Sequence, residues 1–501
     1  MTTLLRARAR ELAWISCAVV VAGGTACRRT PPEVALVDRV AAALGGKDRI
    51  LATNSVMIGG AGENGNLGQN RTPTGELPVY ETSDVKWRID FTQARSRLEQ
   101  VRTPKFLTGN PSPARQFSAV DGEVAFSVTG EGVLTRQPPY VARERRAQGR
   151  HVPVGIMRLA LVPNPKLSNL RSEGGHELLD VTDVDGTVLT LVVDPSTNLP
   201  LGVRSTTYHP NLGDVVLETT FAKYAAIECV QWPGQYTTTL DGLPVARLEA
   251  STTTPNADVT DLVAPPPVAM ESGAPPKPVV QVDEVAPGVW YLSGQSHNSL
   301  AVEFADHLTL LEAPLSESRT LAVIEKARGL RPGKPLADVV LTHHHFDHSA
   351  GIRAAVAQGL VVRVPSATRA FYENLVGRRH TLVPDALATA PVAMTLEAFD
   401  GDLELRDASR TLLVFPLAGN AHADPLLVAY LPKERLLFEA DAYSPPAPDA
   451  KTMPPFPFAA NLLQQVEARA LKVDRLLPAH GRPVPFTDLG AAVKSSAGSA
   501  R

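Results

Sequence analysis

Residues 342–351 read T-H-H-H-F-D-H-S-A-G, and no other stretch restricts the fold as much. His343, His345, Asp347 and His348 fall within six positions. The preceding run, A-D-V-V-L at 337–341, is short, apolar and β-branched, as a buried strand should be. The following run, 349–358, has the composition of a helix. The cluster therefore belongs on a loop at the carboxyl end of a strand, where open α/β folds hold their reactive groups. Neutral imidazoles and a carboxylate are ligands for zinc, and also for iron or manganese. In an extended loop alternate residues face the same way, so His343 and His345 converge on one ion while Asp347 and His348 face a second. Buried without a counter-ion, such a set would be strongly destabilising.

The spacing H-x-H-x-D-H after a strand resembles the metallo-beta-lactamase fold superfamily, and T-H-H-H-x-D-H resembles its glyoxalase II branch in particular. The resemblance implies an αββα sandwich and three later ligands at strand ends. L-A-G-N-A-H at 417–422 supplies His422 after an apolar strand at 412–417, although N-A-H-A-D departs from the G-H-T-x-G-H form of glyoxalase II. L-F-E-A-D at 437–441 supplies Asp441, whose two oxygens can touch both ions and hold them roughly 3.5–4 Å apart. L-L-P-A-H-G at 476–481 supplies His480. By the resemblance, one metal takes His343, His345 and His422, the other takes Asp347, His348 and His480, and Asp441 touches both. The implied cofactors are two divalent cations, zinc first, with iron or manganese compatible with the same donors. Glu312 is expected to hold a ligand imidazole by its other N–H, and His344 to point away from its neighbours. His297, His307 and His380 have no partners at ligand spacing and are expected at the surface.

The resemblance covers a domain spanning 279–501. Within it, strands are expected at 288–294, 299–304, 308–311, 361–364, 412–417, 426–431 and 436–438. Helices are expected at 315–330, 367–376 and 459–471.

The 501-residue chain is long enough for two or three domains, and 44% hydrophobic with 20% charged residues is ordinary for a globular protein. A net charge of −3 is not that of a nucleic-acid binder. Residues 1–27 carry Arg6, Arg8 and Arg10, an apolar run at 12–21 and small residues at 22–26, the pattern of an export signal. Cys27 follows G-T-A, which resembles a bacterial lipoprotein cleavage box with Gly24 in place of the usual leucine. An exported protein is expected, periplasmic or anchored to the outer membrane through a lipid on Cys27. Cys229, alone after processing, is expected as a small buried residue.

Residues 33–262 read as a β-rich domain. A helical spacing occupies 33–44, and Val85, Trp87, Ile89 and Phe91 alternate with polar residues as in a half-buried strand. Another strand fits 188–193, and Asp241-Gly242 joins a hairpin. The strand-turn-strand series at 177–249 is similar in pattern to the half-barrel domains of bacterial lipoprotein carriers. G-G-A-G-E-N-G-N-L-G-Q at 59–69 is expected to be a loop, either on the surface or at the mouth of a ligand cleft. His151, His176 and His209 are expected at the surface. The Pro-rich stretch 263–278 reads as a stiff linker.

The resemblance, taken with the export signal, implies an exported binuclear hydrolase acting on a small molecule. A metal-bridging hydroxide would attack an ester, thioester, lactone or lactam, with Asp347 and Asp441 as the catalytic carboxylates. His345 stands where flavo-diiron relatives carry glutamate, which argues against reduction of oxygen or nitric oxide. Asp441 stands where class-B β-lactamases carry cysteine or serine, which argues against a dedicated β-lactamase. The chain ends soon after His480, without the helices that grip glutathione in glyoxalase II. Two further readings fit the same residues: an apolar-ligand-binding lipoprotein with an ancillary metal domain, and a mononuclear iron persulfide dioxygenase.

Overall fold

The computed structural model describes residues 30–106, 112–128, 132–271, 273, 277–446 and 457–499; the expected export signal and Cys27 lie outside them. Among the described residues no helix is long and apolar enough to cross a membrane. The fold is mixed α/β, with a 13-stranded sheet in the first half of the chain and sheets of seven and six strands in the second.

In the second half the two sheets face each other. Val289 and Tyr291 of strand Val289–Ser293 enter the layer between them, with Leu300, Leu311 and Val340 from one sheet and Val414, Phe438 and Leu477 from the other. Trp290 and Leu292 point the opposite way and pack with Val323, Ile324 and Ala327 of helix Glu317–Leu330. Helices Pro457–Ala468 and Phe486–Ser499 cover the far side of the six-stranded sheet through Leu462, Val466 and Leu489. This is the αββα order of layers. Burial on both faces explains why these strands read as unbroken apolar runs. Each leucine or phenylalanine so buried contributes about 1.5–3 kcal/mol.

Strand Leu308–Leu311 pairs parallel with Leu336–Val340, and Leu436–Glu439 pairs parallel with Arg475–Pro478. Parallel pairing brings the carboxyl ends of each pair to one edge of its sheet. The two edges are joined by Leu427 N donating to Thr342 O at 2.9 Å and Asn298 N donating to Ala479 O at 2.8 Å.

The 13-stranded sheet is antiparallel and strongly curved. Helix Pro139–Gln148 touches both Arg95–Pro104 and Pro200–His209, strands well separated in the sheet order. Leu36, Val40 and Leu44 of helix Pro32–Leu44 share a core with Ile156 and Met157 of helix Pro153–Ala160 and with Ile58, Leu191 and Val203 of the sheet.

Four expectations for this half need correction. Strand Ser55–Gly65 runs through most of the expected loop 59–69, leaving only 66–69 of it outside the strand, at the start of a loop that runs to 78. The glycines there admit a close neighbour: a Cβ on Gly60 would lie 2.0 Å from Glu249 O. Cys229 is exposed, because it sits in the tight turn between Ala225–Ile227 and Val230–Trp232. His151 is buried, its ring nitrogens bonded to Thr219 Oγ1 at 3.2 Å and Ser205 Oγ at 2.9 Å. The Pro-rich stretch contains helix Pro266–Met270, whose Val268 is buried against Ala119 and Phe126. More than a linker joins the halves: Leu212, Val215, Leu217 and Leu240 belong to the same core as Leu310 and Ile352. Thr381 N also donates to Asp214 Oδ2 at 2.9 Å.

Candidate metal centre

The loops after strands Leu308–Leu311, Leu336–Val340, Thr411–Pro416, Leu436–Glu439 and Arg475–Pro478 carry, in order, Glu312, the 343–348 cluster, His422, Asp441 and His480. The cluster is not extended throughout. Phe346–Ser349 forms one helical turn, and Ser349 Oγ donates to His345 O at 2.9 Å. This turn separates Asp347 and His348 from His343 and His345. Tyr372 OH donates to His343 O at 2.8 Å and pins the start of the loop.

The side chains gather into two groups whose donor atoms lie within 4.8 Å of one another: His343, His345, His422 and Asp441 in one, His297, Asp347, His348 and His480 in the other. Asp441 stands between them. Its Oδ2 is 2.8 Å from His422 Nε2, 3.6 Å from His343 Nε2 and 3.0 Å from His348 Nε2, and its Oδ1 is 2.8 Å from His480 Nε2. All seven sequence-predicted residues thus meet. His297 joins them although its lone position gave no ligand spacing. It is buried, its Nε2 lies 3.1 Å from Asp347 Oδ2, and its ring centroid lies 4.0 Å from that of His480. The only sequence signal for it was the polar trio Ser296-His297-Asn298 between two apolar strands.

The donors are held from behind. Glu312, fully buried, accepts from Thr342 N at 2.9 Å through Oε1 and meets His348 Nδ1 at 2.6 Å through Oε2, as expected from its position. Thr342 Oγ1 meets His343 Nδ1 at 3.0 Å, and Ser296 O accepts from His480 Nδ1 at 3.0 Å. Such partners fix ring orientation and tautomer. Glu439, buried at the end of its strand, accepts from Ala442 N at 2.9 Å and Tyr443 N at 3.1 Å. That turn holds Asp441 in the left-handed region, φ 63°. Burial pushes the Glu439 carboxyl up to about 8.

A second set of supports comes from the loop after strand Ser55–Gly65 of the 13-stranded sheet, the end of the stretch 59–69 expected at the surface or at the mouth of a cleft. Gln69 Nε2 donates to Asp347 Oδ1 at 2.7 Å. Asn70 O accepts from His344 Nε2 at 2.8 Å and from His345 Nε2 at 2.9 Å. His344 therefore does not point away from both neighbours, because it shares the Asn70 carbonyl with His345 and the two ring centroids lie 5.0 Å apart. Of the other histidines expected at the surface, His380 is buried near Asp385, whereas His307 is paired with Asp306 in a turn, away from the site.

The donor set fits cations. His345 Nδ1 is buried with no hydrogen-bond partner among the described residues, and His343 Nε2, His422 Nε2 and His480 Nε2 all converge on the Asp441 carboxylate. Burial, with the neighbouring rings, keeps His343 neutral, and burial lowers His345 to about 3, so both present lone pairs. Burial opposes charge on His348, but the Asp441 and Glu312 carboxylates outweigh it and raise the ring well above its ordinary value. Burial likewise opposes ionisation of Asp347, and the His297 hydrogen bond and the charge of His348 outweigh it. The carboxylates thus select positive charge at this point.

Residues 293–480 match a family model described as the metallo-beta-lactamase superfamily. No curated protein matches the chain. Among solved structures, a metallo-beta-lactamase from Pontibacter korlensis is 18% identical over 43% of this chain and 98% of its own, with a TM-score of 0.34. FIM-1 from Pseudomonas aeruginosa, in its mono-zinc form, is 21% identical over 45% of this chain and 98% of its own, TM-score 0.34. A metallo-beta-lactamase from Hirschia baltica is 18% identical over 43% and 97%, TM-score 0.33.

Proposed function

Starting from the metallo-beta-lactamase superfamily domain at residues 293–480, we propose that this chain is a hydrolase with two divalent cations, zinc first, acting on an ester, thioester, lactone or lactam. The observation that carries the reading is the pair of four-residue donor groups with Asp441 between them, together with the buried, unpartnered Nδ1 of His345. His343, His345 and His422 would hold one cation, and Asp347, His348 and His480 the other, with Asp441 shared. Bound there, the cations would supply a water nucleophile at neutral pH and a Lewis acid for the carbonyl oxygen. The chain's own residues do the rest. Glu312 and Thr342 keep the imidazoles in register. Asp347, held at one oxygen by Gln69 and at the other by His297, stays ionised and orients the attacking water. Metal content of protein purified without chelator, together with a panel of the four substrate classes, tests this. Two equivalents of cation and turnover of one class are expected; neither, and the reading fails.

A second reading, a binding role for the first half of the chain, is favoured by one observation. The curved sheet and helix Pro139–Gln148 enclose a cavity of about 380 Å³ lined by Trp87, Leu98, Leu217 and Val245. At about 30 Å³ per group it has room for about a dozen non-hydrogen atoms. The buried Tyr236 hydroxyl at its wall has no partner among the described residues, and burial pushes Glu144 up to about 7. An uncharged amphiphile such as decanol should change the emission of Trp87 in the full chain, and Tyr236→Phe should weaken it. A flat titration would remove this role.

A further inference from the structure

The metal loop is gripped from outside its own sheets. Residues 68–71, after strand Ser55–Gly65, lie across it. Phe346 N donates to Gly68 O at 3.1 Å, Gln69 Nε2 donates to Asp347 Oδ1 at 2.7 Å, and Asn70 O accepts from the Nε2 atoms of His344 and His345. The same segment reaches the loop that carries His422, where Asp424 N donates to Arg71 O at 2.7 Å. A carbonyl oxygen only accepts, so the proton of His345 sits on Nε2 and the lone pair on Nδ1. That Nδ1 is the buried, unpartnered atom facing the first donor group.

The approach is specific to glycine at 68. Its φ is +75°, and a Cβ there would lie 2.1 Å from Phe346 Cδ2 and 2.3 Å from Phe346 Cγ. Behind it Leu67 packs into the core of the second half, and the His209 ring lies 5.6 Å from that of Phe346. The segment is therefore anchored on both sides of its contact with the loop.

We infer that the first sheet is a working part of the metal centre, with Gln69 and the Asn70 carbonyl as positioning groups that set the orientation of Asp347 and the tautomer of His345. Cation binding and docking of the two halves are then linked, each strengthening the other. The inference rests on the two-cation reading and goes beyond it, because it assigns part of the site to a different sheet.

The test uses the full chain and cobalt(II), followed by visible absorption and by competition with a chelator. Gln69→Ala should weaken the group containing Asp347 about 10-fold and leave the His343 group near its original affinity. Gly68→Ala should weaken both groups by about 10-fold or more and alter the absorption bands of each. Gly174→Ala is the control, with φ +58° and nothing within 4 Å of its Cβ, and should bind cobalt as the parent does. If Gly68→Ala does not fold, Gln69→Ala decides alone. A parent chain that binds no cobalt overturns the two-cation reading and this inference with it. A parent that binds cobalt, with both variants unchanged in affinity and spectrum, overturns this inference only.

Discussion

Replacing Glu312 by glutamine would test how the second donor group is built. The carboxylate is fully buried, 2.9 Å from Thr342 N and 2.6 Å from His348 Nδ1. An amide oxygen can still accept from Thr342, but the amide nitrogen must then face His348 Nδ1. Two donors cannot bond. Either the ring turns or its proton moves to Nε2, the atom 3.0 Å from Asp441 Oδ2 and 3.3 Å from His480 Nε2. In both cases the group loses its imidazole lone pair. A charged hydrogen bond of about 2 kcal/mol corresponds to roughly a 30-fold change in affinity. Glu312→Gln should therefore weaken the group of Asp347, His348 and His480 by about 30-fold, within the range seen for supporting residues of metal sites. The first group, whose His343 is held by Thr342 instead, should change little. Stepwise competition with a chelator resolves the two. Equal loss from both groups, or none from either, would refute the claim that Glu312 acts through His348.

Asp441→Ala should lower turnover by about 100-fold or more, because it removes the one carboxylate between both groups, while His307→Ala should leave turnover within about two-fold. Removing cations with a chelator should lower the unfolding temperature, since binding to the folded state alone adds about 2.7 kcal/mol at a hundredfold excess over Kd; an unchanged temperature would mean that no cation binds. His151, lowered by burial to about 3, contributes stability that is complete above its unfolded value near 6.5 and is lost as pH falls toward 3. Over that window the unfolded chain holds the extra proton, so His151→Gln should flatten the acid limb of urea stability by up to about 1.4 kcal/mol per pH unit. Identical slopes would show that His151 is not buried neutral.

The motif, Asp441 and His480 were legible because each comes within a few residues of the end of an apolar strand; His422 lies further out, past Pro416. A strand's end fixes where the next one or two side chains go, so His343, Asp441 and His480 could be placed from local pattern alone. The one-turn helix Phe346–Ser349 was not legible, because four residues carry too little periodicity to separate a turn of helix from an extended loop. Cys229 and His151 were misplaced for a related reason: exposure of a single residue depends on what lies across from it.

By itself the sequence determined the layered second half and pointed to the seven side chains that gather at its strand ends, since burial on two faces and alternation on one leave their mark in the order of residues. It could not determine that His297 packs edge-on against His480, or that Gly68 admits a loop of the neighbouring sheet to the ring of Phe346. Those contacts join residues more than a hundred positions apart, with Gln69 and Asp347 separated by 278. No local propensity encodes such a meeting; it exists only once two independently patterned cores, the curved sheet and the sandwich, have buried their shared apolar surface.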